Sequence, residues 1–230
     1  MSEFIELRGV SKSYSRGGEN LQVLDRLDLD IPRADFVAMM GPSGSGKTTI
    51  LNVIGGLDRP DAGSVRVADT MVSEISSRTL PGWRARHVGF VFQSFNLVPV
   101  LTARENVMLP LLLTPLSRAK RREQAEFALG IVGLTDRMNH RPSQLSGGQE
   151  QRVAIARAIA TDPDVIVADE PTGDLDRDTA NEIMALLTRL NGELGKTIVM
   201  VTHDQVAAES AKRILHLDKG VLVESGRRGS

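Results

Sequence analysis

Eight consecutive residues, Gly41, Pro42, Ser43, Gly44, Ser45, Gly46, Lys47 and Thr48, have the composition and spacing of a loop that cradles phosphate. Glycines there let backbone N–H groups converge on an anion at the start of a helix, where the peptide dipoles also favour negative charge. Lys47 is placed to reach the β- and γ-phosphates of a nucleotide. Thr48 would set its hydroxyl on Mg²⁺, and Thr49 would add a phosphate contact one position into the helix. Alone, this motif implies work on nucleotide phosphates and nothing narrower.

A second pair of groups bears on the same chemistry. Residues 165–170 read Val-Ile-Val-Ala-Asp-Glu, an apolar run ending in two acids. Carboxylates at the end of a buried strand are costly unless a cation or a proton transfer uses them. Asp169 is suited to hold Mg²⁺ through water and Glu170 to polarise an attacking water, because phosphoryl transfer asks the protein mainly for positioning and charge stabilisation. A third feature is the Ser146, Gly147, Gly148, Gln149 turn, which opens a helix running through Val153, Ala156 and Ile159 and so presents free N–H groups to an anion.

These groups need a frame, and the hydrophobic pattern supplies one. Ile5 and Leu7, then Leu27, Leu29 and Ile31, alternate as half-buried strands of a small antiparallel sheet. Residues 36–40 form an unbroken apolar run, as expected of a strand buried on both faces. Leu51, Ile54 and Leu57 then recur at helical spacing, giving strand, glycine loop and helix in the order a phosphate loop requires. Further strands are expected at residues 88–92, 165–168 and 198–201, with helices separating the last two, which makes a mostly parallel α/β core. Between Gln93 and Ser146 the pattern turns helical: Ala125, Ala128, Leu129 and Val132 share one face and residues 118–123 the charged opposite one.

Composition limits the setting. With 41% hydrophobic residues in 230, the chain can bury one large domain with a lobe inserted in it. A formal net charge of −1 carries no nucleic-acid footprint. The absence of cysteine excludes disulfides and thiolate metal sites. The acidic N-terminus does not read as a secretory signal, and the longest apolar stretch, residues 107–116, is broken by Pro110 and Pro115 and falls short of the ~20 residues of a membrane helix.

Taken together, the Gly41–Thr48 loop, Asp169-Glu170 and the Leu145-Ser-Gly-Gly-Gln149 turn resemble the ATPase subunits of ABC transporters. The resemblance covers nearly the whole chain. It implies a P-loop ATPase fold with an N-terminal antiparallel β subdomain and an inserted helical subdomain: a core of residues 1–93 and 158–225, a helical lobe of 94–157 and a tail of 226–230. It implies ATP and Mg²⁺ as cofactors. It also implies that Ser146, Gly147, Gly148 and Gln149 address the γ-phosphate of ATP held by a second chain, so that two copies form a homodimer around ATP. Gln93 falls where the family has its Q-loop glutamine, a ligand of Mg²⁺, and His203 where it has the switch histidine that contacts the γ-phosphate. Residues 172–176, with Asp174 and Asp176, occupy the D-loop at the dimer interface. Tyr14 falls where an aromatic ring stacks on adenine.

Residues 92–97, 101–110, 140–145 and 168–176 are most similar to the lipoprotein-release and macrolide-exporter ATPases. In that group an integral membrane subunit docks after the Q-loop, here from Phe95 to Glu105, and an adaptor beyond the membrane can be reached through it. The expected location is therefore cytoplasmic, peripheral on the inner face of the cell membrane. An alternative within the resemblance is an ATP-gated scaffold that controls a partner and moves no solute. The chromosome-organising ATPase heads share these motifs but insert long coiled coils between Lys47 and Ser146, and no heptad run lies there. Ala34-Asp35, Glu150 and Asp174 depart from the residues more frequent in relatives.

Overall fold

The structure is a computed structural model that describes residues 3–16 and 19–224. Its central strand, β3 (Phe36–Met40), is buried at all five positions because both faces of its sheet are covered. Four strands pair in parallel around it: β6 (Val88–Phe92), β7 (Val165–Asp169), β8 (Thr197–Val201) and β9 (Arg213–Asp218). The antiparallel β10 (Val221–Glu224) closes one edge, giving the order β10-β9-β3-β8-β7-β6. A second sheet is antiparallel. It is built from the long pair β1 (Glu3–Arg16) and β2 (Glu19–Pro32) with β4 (Ala62–Val67) and β5 (Thr70–Met71).

Side chains of a strand point alternately to opposite faces, and here the alternation divides the interior into two cores. Val37 and Met39 of β3, Val165 and Val167 of β7, and Val199 and Val201 of β8 pack with Ile5, Leu7, Leu29 and Ile31 of the antiparallel sheet. Phe36, Ala38 and Met40, Ile166 and Ala168, and Ile198 and Met200 enter the other core, against helices. The expected antiparallel subdomain and parallel centre are both present.

The helical side comprises α3 (Ala103–Met108), α4 (Arg118–Ile131), α5 (Gly147–Ile159), α6 (Arg177–Leu194) and the short α7 (Gln205–Ala208), whereas α2 (Leu80–His87) packs Leu80 and Trp83 into the other core. Ala125, Ala128, Leu129 and Val132 are buried, as the helical spacing predicts. Residues 107–116 leave α3 into a 3-10 turn at Pro110–Leu113. Among the described residues no helix is long and apolar enough to cross a membrane. Helix α5 continues to Ile159, past the expected lobe boundary at 157. The expected tail, residues 226–230, lies outside the described residues.

One helical expectation needs correction. Helix α1 (Lys47–Ile54) stops at Gly55, whose N–H bonds back to the Leu51 carbonyl, and Gly56 takes a left-handed φ of 64°. Leu51 and Ile54 are buried, but Leu57 lies beyond the helix and is 46% exposed. Two consecutive glycines ended the helix one turn before the apolar spacing did.

Candidate functional site

The phosphate loop is shaped by what surrounds it. Gly41 has a φ of 152°, and a Cβ there would lie 2.1 Å from the Leu217 carbonyl oxygen on β9. Gly46, at φ 102° as the residue before α1, is pressed against Leu24 and the Val23 carbonyl of β2. Side chains are thus excluded where the chain turns from β3 into α1, and the loop is clamped between the two sheets. Lys47 folds over its own loop, its Nζ donating to the carbonyls of Gly41 at 2.7 Å and Pro42 at 2.9 Å.

The loop borders a cleft of about 730 Å³. Ser43, Gly44, Gly46, Lys47, Thr48 and Thr49 line one side, and Gln93, Asp169, Glu170 and His203 the other. These carboxylates arrive together because β7 ends at Asp169 beside Phe92 of β6 and Val201 of β8, so three adjacent strand ends supply Gln93, Asp169-Glu170 and His203. Leu21 and Val23 of β2 add an apolar border. Gly41, Pro42 and Ser45 lie outside the cleft lining; the buried Ser45 hydroxyl has no hydrogen-bond partner among the described residues.

Asp169 accepts a 3.4 Å bond from the Thr48 hydroxyl. Burial pushes its carboxyl above the usual carboxylate range and the neighbouring Glu170 charge adds to this, while Thr48 and Lys47 oppose it. The carboxylate is short of positive charge, which a bound cation would supply. Among the described residues no cluster of three or more His, Asp and Glu could hold a metal alone. Thr48, Asp169 and Gln93 fit instead the partial oxygen shell that Mg²⁺ takes when phosphates and waters complete it.

Glu170 has a left-handed φ of 49°. Its Oε2 accepts the His203 backbone N–H at 3.3 Å and stands 2.9 Å from His203 Nδ1, with the imidazole largely exposed to the cleft. Gln93 is engaged elsewhere: its amide donates to Asp174 Oδ1 at 2.7 Å.

The remaining predicted residues lie outside the cleft lining. Ser146 caps α5, its hydroxyl accepting the Gln149 N–H at 3.3 Å while Gln149 Oε1 accepts the Ser146 N–H at 3.0 Å. Gly147 packs near Leu175 and Phe95, and a Cβ on Gly148 would meet Thr179 Cγ2 at 2.3 Å. Asp176 caps α6, accepting from the Asp178 and Thr179 N–H groups and the Thr179 hydroxyl; those bonds hold its carboxyl below the usual range. Tyr14 donates its hydroxyl to Asp58 at 2.7 Å and carries the Lys12 ammonium 5.3 Å from its ring centre.

Sequence reasoning missed three contacts. One is the Gln93 to Asp174 bond. Another is Arg157 of α5, whose guanidinium donates to the carbonyls of Phe95 and Asn96, both in left-handed conformation. The third is Gln151, fully buried, with its amide on the carbonyls of Phe92 and Pro171. Gln151 was open to detection, since it stands at helical spacing with the buried Ala154, Ile155 and Ala158, a polar residue on an apolar stripe.

A glycine loop joining a buried strand to a helix, facing two carboxylates across a cleft at the carboxyl ends of parallel strands, defines a nucleotide-hydrolysing α/β protein of the phosphate-loop class. The ABC transporter family model matches residues 24–173, and the chain belongs to that family as an ATP-binding, ATP-hydrolysing subunit. It is 44% identical over 220 residues to the lipoprotein-releasing system ATP-binding protein LolD of Chromohalobacter salexigens, covering 96% of this chain and 93% of that protein. It is 45% identical over 219 residues to the macrolide export ATP-binding/permease protein MacB of Rhodopseudomonas palustris, covering 95% of this chain but 33% of that protein. A dimeric, post-hydrolysis structure of the ATP-binding cassette MJ0796 of Methanocaldococcus jannaschii, bound to ADP and Pi, superposes with a TM-score of 0.89 at 45% identity, covering 98% of this chain and 100% of that one.

Proposed function

We propose that two copies of this chain close around ATP and drive an integral membrane subunit of the lipoprotein-release or macrolide-export type. The observation that carries this reading is the separation of two helix N-termini. The one at Lys47 opens into a cleft with Asp169, Glu170 and His203, while the one at Ser146 lies outside that lining. A second chain would bring its Ser146 to Gln149 turn onto the γ-phosphate in this cleft, a reading supported by the dimeric state of the similar MJ0796 cassette. Helix α5 bears the turn; it starts within a lobe of residues 94–157, inserted in a core of 1–93 and 158–225, and its last turn runs into that core.

In the closed pair, Lys47 and the loop N–H groups bind and orient the phosphates. Glu170 takes the proton of the attacking water, and His203, held 2.9 Å from Glu170, donates to the γ-phosphate oxygen. Mg²⁺, held by Thr48, Asp169 and Gln93, would neutralise charge on the β- and γ-phosphate oxygens. The Gln93 amide nitrogen is held by Asp174, and its oxygen is the atom that would ligate the cation. Tyr14 offers a partly exposed ring to adenine, and Asp174 and Asp176 face the partner chain.

The membrane subunit docks at residues 95–105. Val98 and Val100 are exposed there, Val100 to 72%, beside a groove of about 320 Å³ lined by Phe90, Phe92, Pro110, Leu113 and Arg157. Docking places the chain on the inner face of the membrane, and an adaptor beyond it is reached only through that subunit.

Complementation tests the pairing. Ser146→Phe and Glu170→Gln chains, each inactive alone, are mixed before ATP is added. Random pairing puts one intact site in half the dimers, so roughly a quarter of wild-type turnover should return. A mixture as inactive as its components would sink the shared-site reading. Glu170→Gln alone should elute as a stable dimer in ATP during size-exclusion chromatography.

A further inference from the structure

Gln151 is fully buried on α5, five residues after the helix cap at Ser146. Its neighbours along that face, Ala154, Ile155 and Ala158, are apolar and buried, so packing alone would favour a leucine or methionine at this position. Instead, Nε2 donates to two carbonyls. One is that of Phe92, 3.2 Å away, at the end of β6 and immediately before Gln93; the other is that of Pro171, immediately after Glu170. Both acceptors lack hydrogen, so only the amide's NH₂ end can face them. Its Oε1 has no partner among the described residues. A buried amide left half-satisfied costs stability, and a role for its donor end accounts for that cost.

The placement links three parts of the reaction. Strands β6 and β7 are neighbours, with Phe92 beside Asp169, and their exit loops carry Gln93 and Glu170. Gln151 ties both exits to the helix whose first turn carries Ser146. Six residues further on, Arg157 holds the carbonyls of Phe95 and Asn96 in the same exit loop. We propose that Gln151 is a positioning residue for ATP hydrolysis: through the Phe92 and Pro171 carbonyls it fixes Gln93 and Glu170 relative to the helix that reaches the partner's ATP. Displacement of α5 on dimer closure is thereby passed to the water-activating carboxylate of the same chain.

This rests on the roles assigned above to Glu170 and Gln93. The test uses the full chain with substitutions Gln151→Met, which keeps the volume and removes both donors, and Gln151→Glu, which can donate one hydrogen bond only when its carboxyl is protonated. Nucleotide affinity is read with a fluorescent ATP analogue, turnover by phosphate release and folding by thermal melting. Gln151→Met should lose about tenfold or more in kcat, with nucleotide affinity within about threefold of wild type. Burial raises a carboxyl's pKa, so the turnover of Gln151→Glu relative to wild type should rise about fivefold from about pH 8 to about pH 6, as protonation restores one donor. Unchanged kcat in folded Gln151→Met overturns the proposal. If that variant does not fold, a Gln151→Glu to wild-type ratio that stays flat across pH overturns it. Glu170→Gln runs in parallel: full turnover there would refute the role of Glu170, whereas a Gln151 result alone leaves it standing.

Discussion

The two helix N-termini make an instructive pair. At Lys47 the cap is a left-handed glycine with no side-chain bond, and the lysine rests on carbonyls that a phosphate would displace it from. At Ser146 the cap is closed by a reciprocal box with Gln149, which satisfies two backbone donors within the helix itself. The first end opens into a cleft lined by Lys47, Thr48, Asp169 and Glu170 of its own chain. The second satisfies the N–H groups of Ser146 and Gln149 within the box and leaves those of Gly147 and Gly148 without an intrahelical acceptor. On the proposed reading, the glycine-capped end binds ATP in its own chain and the Ser146 end addresses the ATP of a second chain; the serine cap alone does not single it out, since Thr102 closes α3 with the same reciprocal box.

Substitutions can break this contrast. The largest effect belongs on the cleft side: Glu170→Gln should lower kcat by about 10³-fold while ATP still binds, as phosphate release and equilibrium binding would record. Next comes the outward turn, where Ser146→Phe should cost roughly 10²-fold in kcat with nucleotide affinity of the isolated chain unchanged. A parallel loss of affinity would place Ser146 in its own chain's site.

A smaller effect sharpens the outward turn's packing. Gly148→Ala should destabilise by about 1–3 kcal/mol in urea titration, because Thr179 Cγ2 is short, branched and anchored through its hydroxyl to Asp176. Thr179→Ser, which removes that methyl and keeps the hydroxyl, should recover most of the loss.

The smallest effect concerns pH. The Asp169 carboxyl is raised in the folded chain, so the folded state binds its proton more tightly than the unfolded one. Its contribution to stability is full below the ordinary carboxylate pKa and is lost as pH rises through the raised value. The thermal midpoint of the nucleotide-free wild type should thus gain on that of Asp169→Asn as pH falls through this window. Bound Mg²⁺ and ATP should reverse the trend, since the cation needs the ionised form.

Much of the cleft was legible because its parts are local in sequence. Glycine spacing set the loop, and an apolar run ending in acids located Asp169 and Glu170, since each signal lies within one element. The contacts that escaped join distant residues. Gln93 and Asp174 are 81 positions apart, Tyr14 and Asp58 are 44 apart, and Gln151 reaches Phe92 across 59. No periodicity reports such pairs. Leu57 failed for a different reason: the apolar repeat continued past Gly55 and Gly56, and the backbone at those glycines ended the helix first. The cap that Asp176 makes on α6 was also legible, since an Asp followed three residues later by Thr is an ordinary helix-capping pattern.

The alternation of Phe36, Ala38 and Met40 against Val37 and Met39 has a consequence for how the molecule comes apart. Each central strand is a wall shared by two cores, so melting the antiparallel sheet strips one face of β3, β7 and β8 and exposes the backing of the other. The two sides are one cooperative unit. Heating should give a single calorimetric transition, and the amide hydrogens of residues 36–40 should exchange with solvent only when the whole chain opens.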